Sequence, residues 1–459
     1  MNNPTKDNSH ARRTTGKLLR VLGVGFGLAV IVGNTIGAGI LRAPGDVARQ
    51  LPHAWLFLAV WVAGGAYALL GANAVAELGT MLPRSGGQYV FARRALGDYA
   101  GFLVGWSDWL STCGTTAAVA VVIGDYSVAL FPALAGRGAS VAVAVAVLFA
   151  LVQWRGIRWG GSAQNVTSLL KCLAFAALIL ACFAFGGARP ATTEATRLPH
   201  GLTLGLAVVL ALQAVIYTYD GWAGVVYFSE EVKDPARDIP RSLFGGVLLV
   251  LAIYLLVNLA LLYVLPISRV AGSDLAVGAA ARELFGANGD RVIRALTIVS
   301  MLSGLNAYHL MATRVLFAMS RDKLFSERAA RVNAGGTPTV ALFVSCAVAV
   351  LFILLSGTFA KIIAGLSFFF VANYAMTFAS LFVLRRREPR AARPFRAWGY
   401  PWTTALALAG SVAFLVGAVA ADLAGETRDS LYALSLLAAS YPLFRLVKLI
   451  ERAGRRAFE

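Results

Sequence analysis

The sequence predicts an all-α polytopic membrane protein of twelve transmembrane helices, two of them broken, and three observations predict it. The chain of 459 residues is 58% hydrophobic and only 14% charged, with a mean hydropathy of +0.70, outside the range of ordinary soluble domains. Its apolar stretches are long enough for a hydrocarbon core of roughly 30 Å, which takes about 20 residues each. The first of them is interrupted by GNTIGAG, where Gly33, Asn34, Thr35, Gly37 and Gly39 fall within seven positions. An unpaired N–H or C=O in hydrocarbon costs several kcal/mol. A break is therefore tolerated only where it faces a cavity, and there the freed groups can grip a ligand.

In chain order the apolar stretches cover 22–47, 53–81, 99–130, 138–157, 162–186, 201–232, 241–265, 290–320, 337–356, 359–384, 401–423 and 429–450. Residues 1–20 are polar and basic, without the apolar region of a cleavable signal. They read as a tail, and the first span serves as its own insertion signal. After span two, PRSGGQYVFARRALG (83–97) is amphipathic and too polar to cross, which predicts an interfacial helix. The sixth span, ALQAVIYTYDGWAGVVYFSEEVKDP, is interrupted at Asp220-Gly221, where a charge is expensive unless it faces water or a partner. Two breaks five spans apart make residues 21–186 and 201–384 an inverted pair of five-span units, with 401–450 adding two further spans. LAVGAAARELFG within 266–288 predicts a short helix in an outer loop, and RRREPRAARPFRAWGY (385–400) a basic linker. No loop is long enough for a separate soluble domain.

The net charge of +18 invites a nucleic-acid reading, but its distribution opposes one. With the N-terminus inside, 28 of the 41 Lys and Arg fall on the inner side and 11 on the outer, and Lys171 and Arg314 lie within spans. Basic loops resist translocation, so the asymmetry places both termini in the cytoplasm, at a cell inner membrane. Anionic headgroups are then a secondary partner, and nucleic acid is not a partner. Cys113, Cys172, Cys182 and Cys346 all fall within spans as small hydrophobes, so neither disulfides nor metal sites are expected. His10, His53, His200 and His309 are scattered, and no clustered catalytic groups suggest an enzyme or a cofactor. A channel would need a filter or charged rings; paired breaks fit alternating access better. A transport-fold sensor that binds without flux stays open.

With these residues on the page, the chain resembles the amino acid–polyamine–organocation permeases, in the branch of the L-type amino acid transporters and their bacterial relatives. The stretches that carry the resemblance are GNTIGAGILRAP, AELGTMLPRSGGQYVFARRALG, GIRWGGSAQNVTSLLK, YDGW with SEEVKDPARDIPRS, NAYHLMATRVLFAMSRDKLF and RPFRAWGYP, in that order along the chain. The resemblance implies the leucine-transporter type of fold, with spans 1, 2, 6 and 7 rocking against 3, 4, 8 and 9. It implies an amino acid site at the two breaks, made of Thr35, Ile36, Gly37, Ala38, Gly39, Tyr217, Asp220, Gly221 and Trp222. In it the amides of Ala38 and Gly39 hold the α-carboxylate, and the carbonyls of Thr35, Tyr217 and Asp220 hold the α-ammonium. The physics agrees, because a helix N-terminus carries about +0.5 charge and unpaired N–H groups.

Lys171 follows Gln164 and Ser168 on one polar stripe of the fifth span. The resemblance places it where sodium-coupled members of the fold bind Na⁺, with Ser300 or Ser303 as neighbours. That implies no sodium dependence and either proton coupling or exchange. The competing reading is a lysine that snorkels to the interface. Asp220 either meets a substrate ammonium or caps the second half-helix of span six, and Trp222 and Tyr217 either gate the substrate or pack. Asp108 could pair with a basic loop residue, and Asp125 reads as solvated or paired. Arg42 either reads an acidic substrate or lies in the outer vestibule, the second being favoured; Glu77 and Arg314 read as members of inner-gate ion pairs, and His309 as a satisfied core residue. Small and aromatic walls favour neutral amino acids, while Asp220 and Asp108 keep cationic amino acids or polyamines open. Animal L-type transporters bond a glycoprotein subunit through a cysteine between spans three and four. Here that loop is FPALAGRGAS, so no disulfide-linked heavy subunit is expected.

Overall fold

The computed structural model describes residues 18–187, 202–273, 275–356, 367–424 and 429–456; most of the expected tail lies outside them. Among the described residues all regular structure is helical, apart from isolated bridges pairing Leu22 with Val232 and Val332 with Pro338. The first span is two helices, α1 (Val24–Thr35) and α2 (Ala38–Gln50), bent by 50° at the glycine break. Next come α3 (Ala54–Met81), the short α4 (Gln88–Leu96), α5 (Asp98–Leu130), α6 (Gly138–Trp154) and α7 (Ile157–Phe185). Then α8 (Leu202–Tyr219) gives way to a turn and a 3-10 helix, Gly224–Phe228. Past it lie α9 (Pro235–Val264), the loop helices α10 (Ile267–Val270) and α11 (Ala276–Phe285), α12 (Gly289–Arg321) and α13 (Thr339–Ser356). The chain closes with α14 (Ser367–Arg387), α15 (Trp402–Ala424) and α16 (Asp429–Arg456).

Among the described residues, eight helices are long and apolar enough to cross a membrane, nine with the bent pair, and α6 and α13 are shorter apolar helices. With α16 they occupy the twelve predicted stretches; the start of the tenth, at 359, lies outside the described residues. The burial pattern is inverted relative to a soluble protein. On α7, Gln164, Ser168 and Lys171 are buried while Leu169, Leu170, Leu173 and Leu180 are exposed. A leucine-clad exterior around a polar interior is stable only against hydrocarbon.

Local chemistry sets the boundaries. α9 begins earlier than hydropathy suggests because Pro235 occupies its first position and the Asp234 side chain accepts from the Arg237 amide. Gly97 joins α4 to α5 at φ +95°, where a side chain would be strained. The predicted interfacial helix forms as α4, but it is not simply laid on the surface. Gln88, Tyr89, Val90, Phe91 and Ala92 are buried against the bundle. The outer-loop helix predicted from LAVGAAARELFG forms as α11, and the amide of Gly272, just before it, bonds the Gly45 carbonyl on α2.

Candidate functional site

Where α1 stops, its last carbonyls have no partner within the helix. Side chains from three other helices take them. Lys171 Nζ donates to the carbonyls of Gly33 (2.8 Å) and Ile36 (2.5 Å). Tyr308 Oη donates to Asn34 (3.0 Å), Tyr254 Oη to Thr35 (2.7 Å), and Ser300 Oγ also to Ile36 (3.1 Å). Lys171 is wholly buried, so its head group sits on the break and does not snorkel to an interface. One turn earlier the Ala29 carbonyl accepts from Gln164 and Ser168, and Ser168 bonds Ser303 at 2.8 Å. Ser300 thus shares a carbonyl with Lys171, and Ser303 belongs to the neighbouring layer. Gly33 permits this, since a Cβ there would collide with Gln164 Nε2 and come within 2.6 Å of Ser303 Oγ.

Past the break, α2 starts at Ala38 with Gly37 as N-cap and no side chain capping it. Its first amides therefore keep their donors for something else. Gly33, Thr35, Ile36, Gly37 and Gly39 line a cavity of about 60 Å³. Tyr217 and Asp220 face it from span six, and Val119, Met301 and Phe370 add apolar wall. Gly221 has φ +104°, and a Cβ on it would press at 3.0 Å on the backbone of Asn34 and Thr35. Only glycine lets the two breaks meet at this distance.

Several expected roles find a different geometry. Asp220 does not cap a second α half-helix. The span continues as the 3-10 helix behind Ala223, with no side-chain cap, and the Asp220 carboxylate accepts from Tyr374 Oη. Trp222 does not line the cavity; it is stacked on Tyr374 at 5.0 Å and fills the space above Gly71, which, of gating and packing, is the packing arrangement. Of the Thr35 and Tyr217 carbonyls, the first already accepts from Tyr254 and the second from the Asp220 amide. Each keeps a second lone pair.

Asp108 meets no basic loop residue; Tyr227 Oη lies 2.9 Å from both of its oxygens. Glu77 and Arg314 both sit in ion pairs, though not with each other. Arg314 is paired with Glu231, and Glu77 with Arg385 and Arg393. Asp125, near the end of α5, and Arg42, little more than a turn into α2, are both exposed. His309 is a core residue, but its Nε2 has no partner.

Sequence reasoning missed the tyrosines. Tyr254 bonds the carbonyls of both Thr35 and Thr218, tying the two breaks together, and Tyr308 and Tyr374 face the same region. The available signal was a phenol in the middle of an apolar span, because a buried tyrosine hydroxyl needs a partner.

The chain matches the family described as amino acid permease over residues 26–439. It is 31% identical over 412 residues to the serine/threonine exchanger SteT of Bacillus subtilis, covering 87% of this chain and 91% of that one. It is 29% identical over 393 residues to the Asc-type amino acid transporter 1 of Mus musculus, covering 83% and 73%. With the large neutral amino acids transporter small subunit 2 of the same organism the identity is 27% over 413 residues, covering 86% and 77%.

Proposed function

The chain belongs to the amino acid permease family, and from that premise we propose that it carries small neutral amino acids across the cytoplasmic membrane by alternating access. The observation that carries the reading is the uncapped start of α2 opening into a cavity at the meeting point of both breaks. A substrate α-carboxylate is complementary to the amides of Ala38 and Gly39. Its ammonium finds the remaining lone pairs of the Thr35, Tyr217 and Asp220 carbonyls. The tight cavity, with Val119, Met301 and Phe370 as walls, favours side chains about the size of serine or threonine. The exchanger of Bacillus subtilis bears those two in its name.

Lys171, on the carbonyls of Gly33 and Ile36, supplies a positive charge at the break, so transport runs without sodium, by exchange or with protons. The inverted units 21–186 and 201–384 supply the moving parts, both termini lie in the cytoplasm, and the chain works without a disulfide-linked subunit. The Asp220 carboxylate on the cavity wall favours a second reading, in which cationic amino acids are also carried.

The test is a binding screen of the purified protein against the common amino acids and their decarboxylated amines, followed by uptake into proteoliposomes. L-serine or L-threonine is expected to bind best, with uptake stimulated by the same amino acid inside and indifferent to sodium. Tightest binding by an amine without a carboxylate would sink the assignment of the carboxylate to α2. Gly39→Ala sharpens it. A Cβ there lies 3.0 Å from Thr218 Cγ2 and 3.1 Å from its Oγ1, and it narrows the approach to the amides. L-serine affinity is expected to fall about tenfold, or about 1.4 kcal/mol, with membrane insertion unchanged. Wild-type affinity in a calorimetric titration would move the carboxylate elsewhere.

A further inference from the structure

A second cavity, of about 20 Å³, adjoins the first and shares Asn34, Asp220, Tyr308 and Phe370 with it. That is room for one water-sized occupant. Two carboxylates line it, Asp108 from α5 and Asp220 from the span-six break. Asp108 is met by Tyr227 Oη and Asp220 by Tyr374 Oη. Among the described residues no basic side chain pairs with either; every ion pair found involves other acids. Two buried amide atoms on the cavity wall also lack a partner, Asn34 Oδ1 and Asn373 Nδ2. Both side chains are more than nine-tenths buried. An unpaired acceptor and an unpaired donor on one small wall call for an occupant that can both give and take a hydrogen bond.

We infer that Asp108 and Asp220 hold one proton between them in this inner cavity, bridged by a water-sized occupant and distinct from any role of Lys171. Asp108 is buried and Asp220 half-buried, and neither has a cation beside it; two carboxylates on one small wall do not both stay ionised, because like charges at one site drive one of them to take up a proton. The proton enters from water on a carboxyl oxygen of the pair and returns to water when the cavity opens. The titratable groups facing the pair are Tyr227 and Tyr217 from span six, Tyr308 from α12 and Tyr374 from α14. α1 and α4 bring only Asn34 and Gln88. The buried cations nearby in the fold are already engaged, Lys171 on the carbonyls of Gly33 and Ile36, Arg314 on Glu231. A metal ion suits the site poorly, since the unpaired Asn373 Nδ2 is a donor and would face the cation. Asp220 belongs to both cavities, so the proton stands next to the proposed ammonium position. The inference deepens the transport reading, but its test does not depend on transport.

Infrared difference spectroscopy of the purified full-length protein in lipid nanodiscs reads it directly. At pH 7 in choline chloride the wild type is expected to show the carbonyl stretch of a protonated carboxylic acid, shifted by deuterium exchange. Asp108→Asn and Asp220→Asn each relieve the charge repulsion and are expected to abolish the band. Loss in one variant alone places the proton on that carboxylate whatever its neighbour does, and overturns the sharing. Glu230→Gln, which alters a carboxylate paired with Arg321, leaves the band in place. Tyr227→Phe keeps the band and moves its frequency, a readout available even if an aspartate variant fails to fold. Absence of the band in the wild type, full height in both aspartate variants, or its loss when sodium replaces choline each overturns the inference. L-serine that fails to bind in the same samples refutes the proposed serine-sized substrate and leaves the proton site standing.

Discussion

Lys171→Ala is expected to cut net uptake of L-serine at least a hundredfold while the protein still reaches the membrane. The ammonium makes two charge-assisted bonds, to the carbonyls of Gly33 and Ile36, each worth roughly 1.5–3 kcal/mol. Ser300 keeps a hold on Ile36, but the Gly33 carbonyl loses the one side-chain donor it has among the described residues. The orphaned carbonyl then has two ways out. α1 can extend by a turn and close the break, or water can enter beside Ser168 and Ser303. Either change removes the geometry that leaves the α2 amides unpaired. Lys171→Arg is not expected to restore function, because a planar guanidinium cannot place one point charge between two carbonyls. Net uptake and exchange should be measured separately in proteoliposomes, each with and without a proton gradient. Loss of net uptake with exchange retained would make the lysine part of the return of the empty carrier. Loss of both would make it part of the substrate site. Full activity in both assays would remove it from the mechanism. The infrared band assigned to Asp108 and Asp220 should survive in Lys171→Ala, which separates the two charges experimentally.

The position of Lys171 could be read from sequence because its cause is local. Gln164, Ser168 and Lys171 share a helix face, and a polar stripe in an apolar span must face something polar. The first break was legible for the same reason, since glycines within seven positions weaken the helix regardless of what surrounds it. What the chain does not announce is partner choice across long separations. Glu77 was expected at an inner gate, and its partners are Arg385 in the last turn of α14 and Arg393 in the linker beyond, joined by the amide of Ala397. Periodicity carries no information about a pairing more than 300 positions away. Gating and packing could not be separated for Trp222 because its orientation is set by Tyr374 and the gap at Gly71, neither of which is near it in sequence. Asp220 before a break has the grammar of a helix cap, and that grammar misleads when the next residues wind as a 3-10 helix. Asp108 shows the same limit in the opposite direction. An acid on a membrane helix suggests a cationic partner, and here the partner is a phenol from span six.

Arg314→Met is expected to destabilise the protein by about 3–5 kcal/mol, because it strands a buried charge. The guanidinium and the Glu231 carboxylate are both fully buried and joined by two hydrogen bonds, Nε to Oε2 at 3.0 Å and Nη2 to Oε1 at 2.9 Å. Phe228 lies 5.4 Å below the guanidinium. Glu231 is also a backbone anchor, since its carbonyl accepts from the amides of Val21 and Leu22, and the Lys233 amide returns a bond to Leu22. The pair therefore pins the segment leading into α1 against the segment leaving span six, at the end of the bundle where α1 begins. Truncating the arginine leaves the carboxylate without solvent or countercharge, and that end must open or Glu231 must take a proton. Replacing both partners is the decisive comparison. Arg314→Met combined with Glu231→Leu removes the stranded charge and should regain most of the lost stability, because an apolar pair of similar volume often substitutes for a buried ion pair at little cost. The thermal midpoint in detergent, followed by fluorescence-detected size exclusion, checks both arms. A single variant as stable as the wild type would mean that the end bearing Glu231 is already hydrated in solution. If the double variant is stable yet transports slowly, the charges serve opening: an ion pair can be traded for water when the end opens, whereas a greasy contact resists it.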